Sequence, residues 1–256
     1  MNRNINFVNY FKVANTLSII LFISSIILIV FKGLNFGIDF KGGTLLEVKV
    51  INKNITISDI RSSVSQLNLG DVSVKEFGKK GNYLIKVEAS DHENKNFIIE
   101  LKKSINKKLN NEINFRRVEK VGPKVSSELL KSGIIAITLS LLAMLFYIWV
   151  RFEWQFSLGS IVALFHDIII TIGIFSLFSI EINLSIVAAV LTIVGYSMND
   201  TVVIYDRIRE NLSKYNKLQI NQISNLSINE TLSRTLITSV TTLLALFSIF
   251  FLGGEI

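Results

Sequence analysis

Six polar residues stand in stretches that are otherwise oily: His166 and Asp167 in "ALFHDIII", Asn199, Asp200 and Thr201 in "YSMNDTVVIY", and Arg234 just before "TLITSVTTLLALFSIFF". A carboxyl group in apolar surroundings is shifted toward the neutral acid, and a nearby guanidinium draws it back toward the charged form. A small movement between Asp200 and Arg234 would therefore turn proton binding into proton release. Asp167, with His166 beside it, is a second carboxyl of the same kind, and Asn199 and Thr201 are its polar support around Asp200. Each has a blander reading. Asn199 and Asp200 could only join helices by hydrogen bonds, Arg234 could snorkel to headgroups, and His166 could satisfy itself between neighbours. An ionisable group inside a bilayer is costly enough that function is the default reading for the two aspartates.

What must position these residues is a membrane. Half of the residues are hydrophobic, the mean hydropathy is +0.47, and 18 Phe stand against a single Pro, far from an ordinary soluble domain. Residues 13–31 run without a charge between Lys12 and Lys32. At about 1.5 Å per residue they span roughly 28 Å, the thickness of a hydrocarbon core. Similar stretches at 132–150, 156–180, 182–205 and 235–252 bring the expectation to five helices. The first reads as a signal anchor, since its apolar run is long and "VFKGLNFG" offers no small-residue cleavage site.

Basic residues orient the chain. Arg3 and Lys12 precede the first helix, Arg151 follows the second, and Arg207, Arg209, Lys214, Lys217 and Arg234 lie between the fourth and fifth, so residues 1–12 and a loop at 206–234 are expected in the cytoplasm and residues 32–131 outside. The net charge of +7 is then largely topological and is no argument for nucleic acid. Zero cysteines exclude disulfides and thiolate metal sites. If the fourth helix leaves the bilayer near Tyr205, Asp200 lies about 7–8 Å inside the boundary. Asp167 is then expected deeper, by about half a leaflet, with Arg234 within reach of Asp200.

The outer segment alternates. "TLLEVKV" (44–50), "DVSVKEF" and "YLIKV" read as strands and "INFRRVEKV" as a less regular last one. A helix at "SDIRSSVSQL" carries Ile60, Val64 and Leu67 behind a Ser58 cap, and a second at "FIIELKKSINKKL" carries Ile98, Leu101, Ile105 and Leu109. The order β-α-β-β-α-β is the split βαβ, ferredoxin-like arrangement: a four-stranded antiparallel sheet with both helices on one face. In the membrane, small and polar stripes are expected to be the packed faces: Gly159, Ala163, His166 and Gly173 in the third helix; Ser185, Ala189, Thr192, Tyr196 and Asn199 in the fourth; Arg234, Thr238, Thr241 and Ala245 in the fifth. The turn "GIDFKGG", with Gly37, Asp39, Gly42 and Gly43, reads as an exit loop or a hinge.

The blocks "GLNFGIDFKGGTLLEV" (33–48), "VGPKVSSEL" (121–129), "FHD" (165–167), "GYSMNDTVVIYDRIREN" (195–211) and "NETLSRT" (229–235) resemble those of SecF, partner of SecD in the bacterial protein-export apparatus and a relative of the resistance-nodulation-division transporters. The resemblance runs nearly end to end. It implies a multi-pass protein of the bacterial inner membrane that works with SecD, the SecYEG channel and YajC on exported unfolded polypeptides. It implies no enzyme activity and no cofactor beyond the proton gradient. By position it assigns proton handling to Asp200, with Arg234 as the arginine at the helix end. Lys41 stands where the family often has Thr. The family has six membrane helices and this sequence shows five, so the sixth is expected to be missing and one side of the fifth to face lipid with its Thr and Ser residues. Two other classes fit less well. A small-molecule efflux protein of the same superfamily would have a thin platform in one ferredoxin-like domain. An intramembrane hydrolase would lack an H-E-x-x-H motif and would have two aspartates at different depths.

Overall fold

The computed structural model describes residues 5–50, 56–65, 72–76, 81–87, 99, 102–103, 105–107 and 113–253. Five helices are long and apolar enough to cross a membrane. They run over Phe11–Lys32, Pro123–Arg151, Trp154–Phe178, Leu184–Lys214 and Ile220–Leu252 and are numbered first to fifth below. The last two, at 31 and 33 residues, would measure about 46 and 50 Å at 1.5 Å per residue, more than a hydrocarbon core needs. The interval 206–234, expected as a loop, is accordingly helical except at 215–219. Once a helix is nucleated, each further residue adds a hydrogen bond at little cost. Same-helix pairs, Arg209 with Asp206 and Lys214 with Glu210, support the extension. A reciprocal cap between Gln219 and Gln222 starts the fifth helix.

The chain divides into two compact units. One holds Met1–Leu34, Ile137–Ile180 and Ala188–Ile256; the other holds Asn35–Ala136 and Glu181–Val187. In the first unit the most extensive packing joins the first and third helices. The second unit carries β1 (Asn35–Phe36), a one-turn helix (Ile38–Lys41), β2 (Gly43–Val50), a helix over Ile57–Ser65, β3 (Val72–Glu76), β4 (Asn82–Val87), β5 (Ile113–Val121) and β6 (Glu181–Ile182). The four longer strands form one antiparallel sheet in the order β3-β4-β2-β5, the ferredoxin-like order expected. The irregularity in the last strand is a register shift at Glu47/Val48. Alternate residues Leu46, Val48, Ile85 and Val87 point into the core, where Ile60 and Val64 of the Ile57–Ser65 helix meet them. Ile105 is fully buried in the same core; Leu67, Ile98, Leu101 and Leu109 lie outside the described residues.

The cap of the Ile57–Ser65 helix is Thr56, not Ser58. Asp59 accepts the Thr56 backbone N–H at 2.9 Å and its hydroxyl at 2.7 Å, while the Asp59 N–H points back to the Thr56 hydroxyl at 3.4 Å. This reciprocal arrangement needs a hydroxyl residue three positions before a carboxylate, a spacing that Ser58 lacks. The hydroxyl and amide of Thr56 hold the Asp59 carboxyl below its ordinary value. A carboxyl depressed in the folded state contributes stability above its unfolded pKa, and the contribution disappears as pH falls through the folded value. Hydrogen-exchange protection of residues 57–65 should therefore fall on acidification below about pH 4. Asp59→Asn should flatten that dependence, and Thr56→Ala should weaken the helix by about 1 kcal/mol at neutral pH.

Candidate proton-handling site

The site rests on a seam between two parallel helices. Phe22 of the first stacks on His166 of the third at 6.1 Å between ring centres, the two planes nearly parallel. One turn on, Ser25 meets Gly173 so closely that a methyl group at 173 would lie 2.4 Å from Ser25 Cβ and 2.8 Å from its Cα. Further along, the Ser176 hydroxyl donates to the carbonyls of Leu28 and Gly33, at 3.1 and 2.7 Å, and Lys32 Nζ donates to the Leu177 carbonyl. Carbonyls at a helix end have no partner of their own, and hydrocarbon supplies none. Ser176 therefore satisfies the Gly33 carbonyl at the end of the first helix, and Lys32 satisfies the Leu177 carbonyl at the end of the third.

On the other side of this seam, the Ser197 hydroxyl of the fourth helix donates to Asp167 Oδ2 at 2.6 Å, while Oδ1 lies 3.0 Å from His166 Nδ1. Asp167 thus links the third helix to the fourth. With Nδ1–H donating to Asp167, the ring presents Nε2 as an acceptor, and that atom is buried with no protein partner. The Thr201 hydroxyl bonds the Ser197 carbonyl at 3.1 Å. Asp200 is three residues beyond Ser197, so it shares that helix face about 4.5 Å further along the axis. The expected depth difference of half a leaflet reduces to about one turn.

Asp200 is half-buried, Asn199 and Arg234 are exposed, and neither Asp200 nor Arg234 is ion-paired with any described residue. The expected Asp200–Arg234 pair is not formed. Arg234 sits on the accessible side of a fifth helix whose spanning window is unburied. The stripes expected to be packed faces also need correction. In the fourth helix Val190, Val194 and Met198 are buried, whereas Ser185, Ala189, Thr192, Tyr196 and Asn199 are exposed. In the fifth, Arg234, Thr241 and Ala245 are exposed. Lipid tails are as apolar as Leu or Val, so polarity alone does not select the packed side of a membrane helix. Ser197 was missed for this reason; its spacing of three and four residues before Asp200 and Thr201 was the available signal.

Charged and polar groups near the ends of the second, fourth and fifth helices lock together. Arg151 pairs with Asp206 at 2.9 Å, Arg207 Nε with Glu230 at 2.6 Å, and buried Asn211 donates to Ser227 at 3.0 Å and Glu230 at 2.7 Å. Asn229 brackets Ile5 from both sides, accepting its N–H and donating to its carbonyl. The blocks "DRIREN" and "NETLSRT" therefore recognise each other.

The turn expected as a hinge is a packed element of the second unit. Gly37 donates to the Ile182 carbonyl at 2.8 Å, and β1 pairs in parallel with β6. The carboxylate of Asp39 accepts the N–H of Leu184, first residue of the fourth helix, at 2.9 Å, where a negative charge is favoured. Gly42 and Gly43 have φ of 77° and 136°, a turn closed to residues with a Cβ.

Spanning helices with an internal carboxyl–hydroxyl link, together with a split βαβ domain, define a polytopic membrane protein with one ferredoxin-like domain. Residues 101–256 match the family model of the protein export membrane protein SecD/SecF C-terminal region, and residues 27–50 match the SecD/SecF GG motif. The chain is 46% identical over 251 residues to the protein translocase subunit SecF of Rickettsia felis, covering 98% of this chain and 81% of that one. It is 45% identical over 252 residues to that of Rickettsia prowazekii, covering 98% and 80%. The crystal structure of SecDF, a translocon-associated membrane protein from Thermus thermophilus, superposes with a TM-score of 0.87 at 32% identity, over 99% of this chain and 34% of that one. SecDF in a super-membrane-facing form gives 0.69 at 31% identity, over 100% and 35%. The chain spans about a third of the length of those SecDF polypeptides. The chain belongs to the SecF family of protein translocase subunits and is a multi-pass membrane protein.

Gly173→Ala should lower stability by about 1–3 kcal/mol through overpacking against Ser25, read as the thermal unfolding midpoint in detergent. Gly195→Ala, whose new methyl would meet only Met144 at 3.8 Å, is the matched control and should be nearly neutral.

Proposed function

We propose that the chain is a proton-coupled accessory subunit of protein export, with its N-terminus in the cytoplasm and its second unit on the outer face of the bacterial inner membrane. It acts with SecD beside the SecYEG channel, and YajC completes the assembly. The observation that carries the reading is the Asp167–Ser197 hydrogen bond between the third and fourth helices, with unpaired Asp200 one turn away. Membership of the SecF family and the likeness to SecDF support the choice of partner and cargo, exported unfolded polypeptides.

The two carboxyls divide the work. Asp167 accepts hydrogen bonds from Ser197 and His166 that fix the spacing of the third and fourth helices. Asp200 has no such donor among the described residues, and in this scheme it is the group that takes up and gives off the proton, with Arg234 as the candidate cation that approaches or retreats. Each proton crossing the membrane releases about 2.3 kcal/mol per 100 mV, comparable to the few kcal/mol that separate two conformations. One or two protons thus suffice to bias the protein between two poses.

The test is translocation into membrane vesicles, with and without an uncoupler. Asp200→Asn keeps the shape but cannot cycle a proton, and should abolish the uncoupler-sensitive part of export while leaving membrane level and SecD co-purification intact. Ser197→Ala should lower that part without abolishing it. An Asp200→Asn protein that responds to the uncoupler as the parent does would reduce Asp200 to a packing residue.

A further inference from the structure

The second unit contains a small cationic cavity that proton coupling does not use. It measures about 120 Å³ and is lined by Asn35, Lys41, Ser73, Lys75, Leu84, Lys86 and Glu181. At about 30 Å³ per water molecule that is room for some four waters, or one oxyanion of comparable bulk. The sheet explains the lining. Ser73 and Lys75 of β3, with Leu84 and Lys86 of β4, alternate with the core residues Val74, Ile85 and Val87, so they form the face of the sheet turned away from the core. Lys41 comes from the one-turn helix, Asn35 from β1 and Glu181 from β6.

The charges do not cancel. Lys86 donates to the Phe36 carbonyl at 2.6 Å and lies 3.7 Å from Glu181, which neutralises one ammonium. Lys41 and Lys75 are both exposed, and neither is hydrogen-bonded or ion-paired to any described residue. The cavity therefore carries two uncompensated positive charges, with the Ser73 hydroxyl as a further donor. Its floor is also tethered near the bilayer. Asn35 follows the end of the first helix by three residues, and Glu181 the end of the third by three. At no more than about 3.6 Å per residue, each lies within about 11 Å of a helix end along the chain. Lys41 and Lys75 line the same cavity as these two residues, and lysines close to a membrane surface attract anionic headgroups.

We infer that this cavity binds the phosphate of an anionic phospholipid in the outer leaflet, with Lys41 and Lys75 as its charge partners and Ser73 as a hydrogen-bond donor. A small, partly open, phosphate-sized volume, lined by residues three positions along the chain from two spanning helices, favours a single headgroup over an acidic stretch of exported polypeptide, which would need an extended groove. The inference rests on the outer placement of the second unit and not on proton coupling, so the two readings fail separately.

The experiment takes the full chain in detergent with an equimolar mixture of phosphatidylglycerol and phosphatidylcholine, and reads bound lipid by native mass spectrometry. The parent should retain phosphatidylglycerol selectively. Lys41→Gln with Lys75→Gln should lower that selectivity by about thirtyfold, the product of two surface lysines' attraction for an anionic lipid. Lys103→Gln with Lys107→Gln, removing the same charge elsewhere on the unit, should leave it unchanged. Equal selectivity in the cavity variant and the parent would overturn the assignment. So would displacement of the lipid by millimolar inorganic phosphate, which would mark a site for the free anion, or by a tetraglutamate peptide alone, which would mark a site for carboxylates.

Discussion

The approach of the first and third helices at Ser25 and Gly173 is the constraint on which the membrane unit depends. With a hydrogen in place of a side chain at 173, the two backbones come close enough for Ser176 to reach the last carbonyls of the first helix and for Phe22 to lie flat on His166. Within hydrocarbon there is no hydrophobic force to draw helices together, so close van der Waals contact and interhelical hydrogen bonds must do it. This seam supplies both. It also fixes the rotation of the third helix, which decides that Asp167 faces Ser197 of the fourth.

The polar residues of the membrane unit then fall into two groups by what they touch. Asp167, Ser197, His166 and Thr201 are engaged with one another or with backbone, and their bonds are spent on holding helices in place. The side chains of Asp200 and Arg234 make no such bond to any described residue. An unpaired ionisable group among helices is costly, which sets these two apart from the residues that hold the helices in place.

Outside the membrane unit the same economy of polar groups recurs. The turn at 37–43 uses one carboxylate to satisfy the start of the fourth helix and two glycines to turn the chain into β2, where Gly43 opposes Val121. The core side of the sheet is sealed by aliphatic residues. Its opposite face carries Lys75 and Lys86; Glu181 answers Lys86, while Lys75 and the neighbouring Lys41 of the one-turn helix have no ion-pair partner among the described residues.

Read as a string, the chain already contained its elements. Uncharged runs of spanning length define the five helices because hydrocarbon rejects charges wherever they stand. Alternation in 44–50 and its neighbours defines strands because a half-buried sheet has period two. Asp200, Asp167 and Arg234 are visible because ionisable residues are conspicuous in apolar surroundings. Which way each helix is turned was not legible. In water the buried side of a helix is the apolar one, but in lipid both sides are apolar, so the stripe of Ser185, Ala189, Thr192, Tyr196 and Asn199 could be taken for a packed face when Val190, Val194 and Met198 form it. Ser197 became a partner of Asp167, Arg234 remained apart from Asp200, and three lysines from three elements met around one cavity only through tertiary packing. Rotation about a helix axis and the meeting of residues distant in sequence are set by contacts between side chains, and those contacts exist only once the chain has folded.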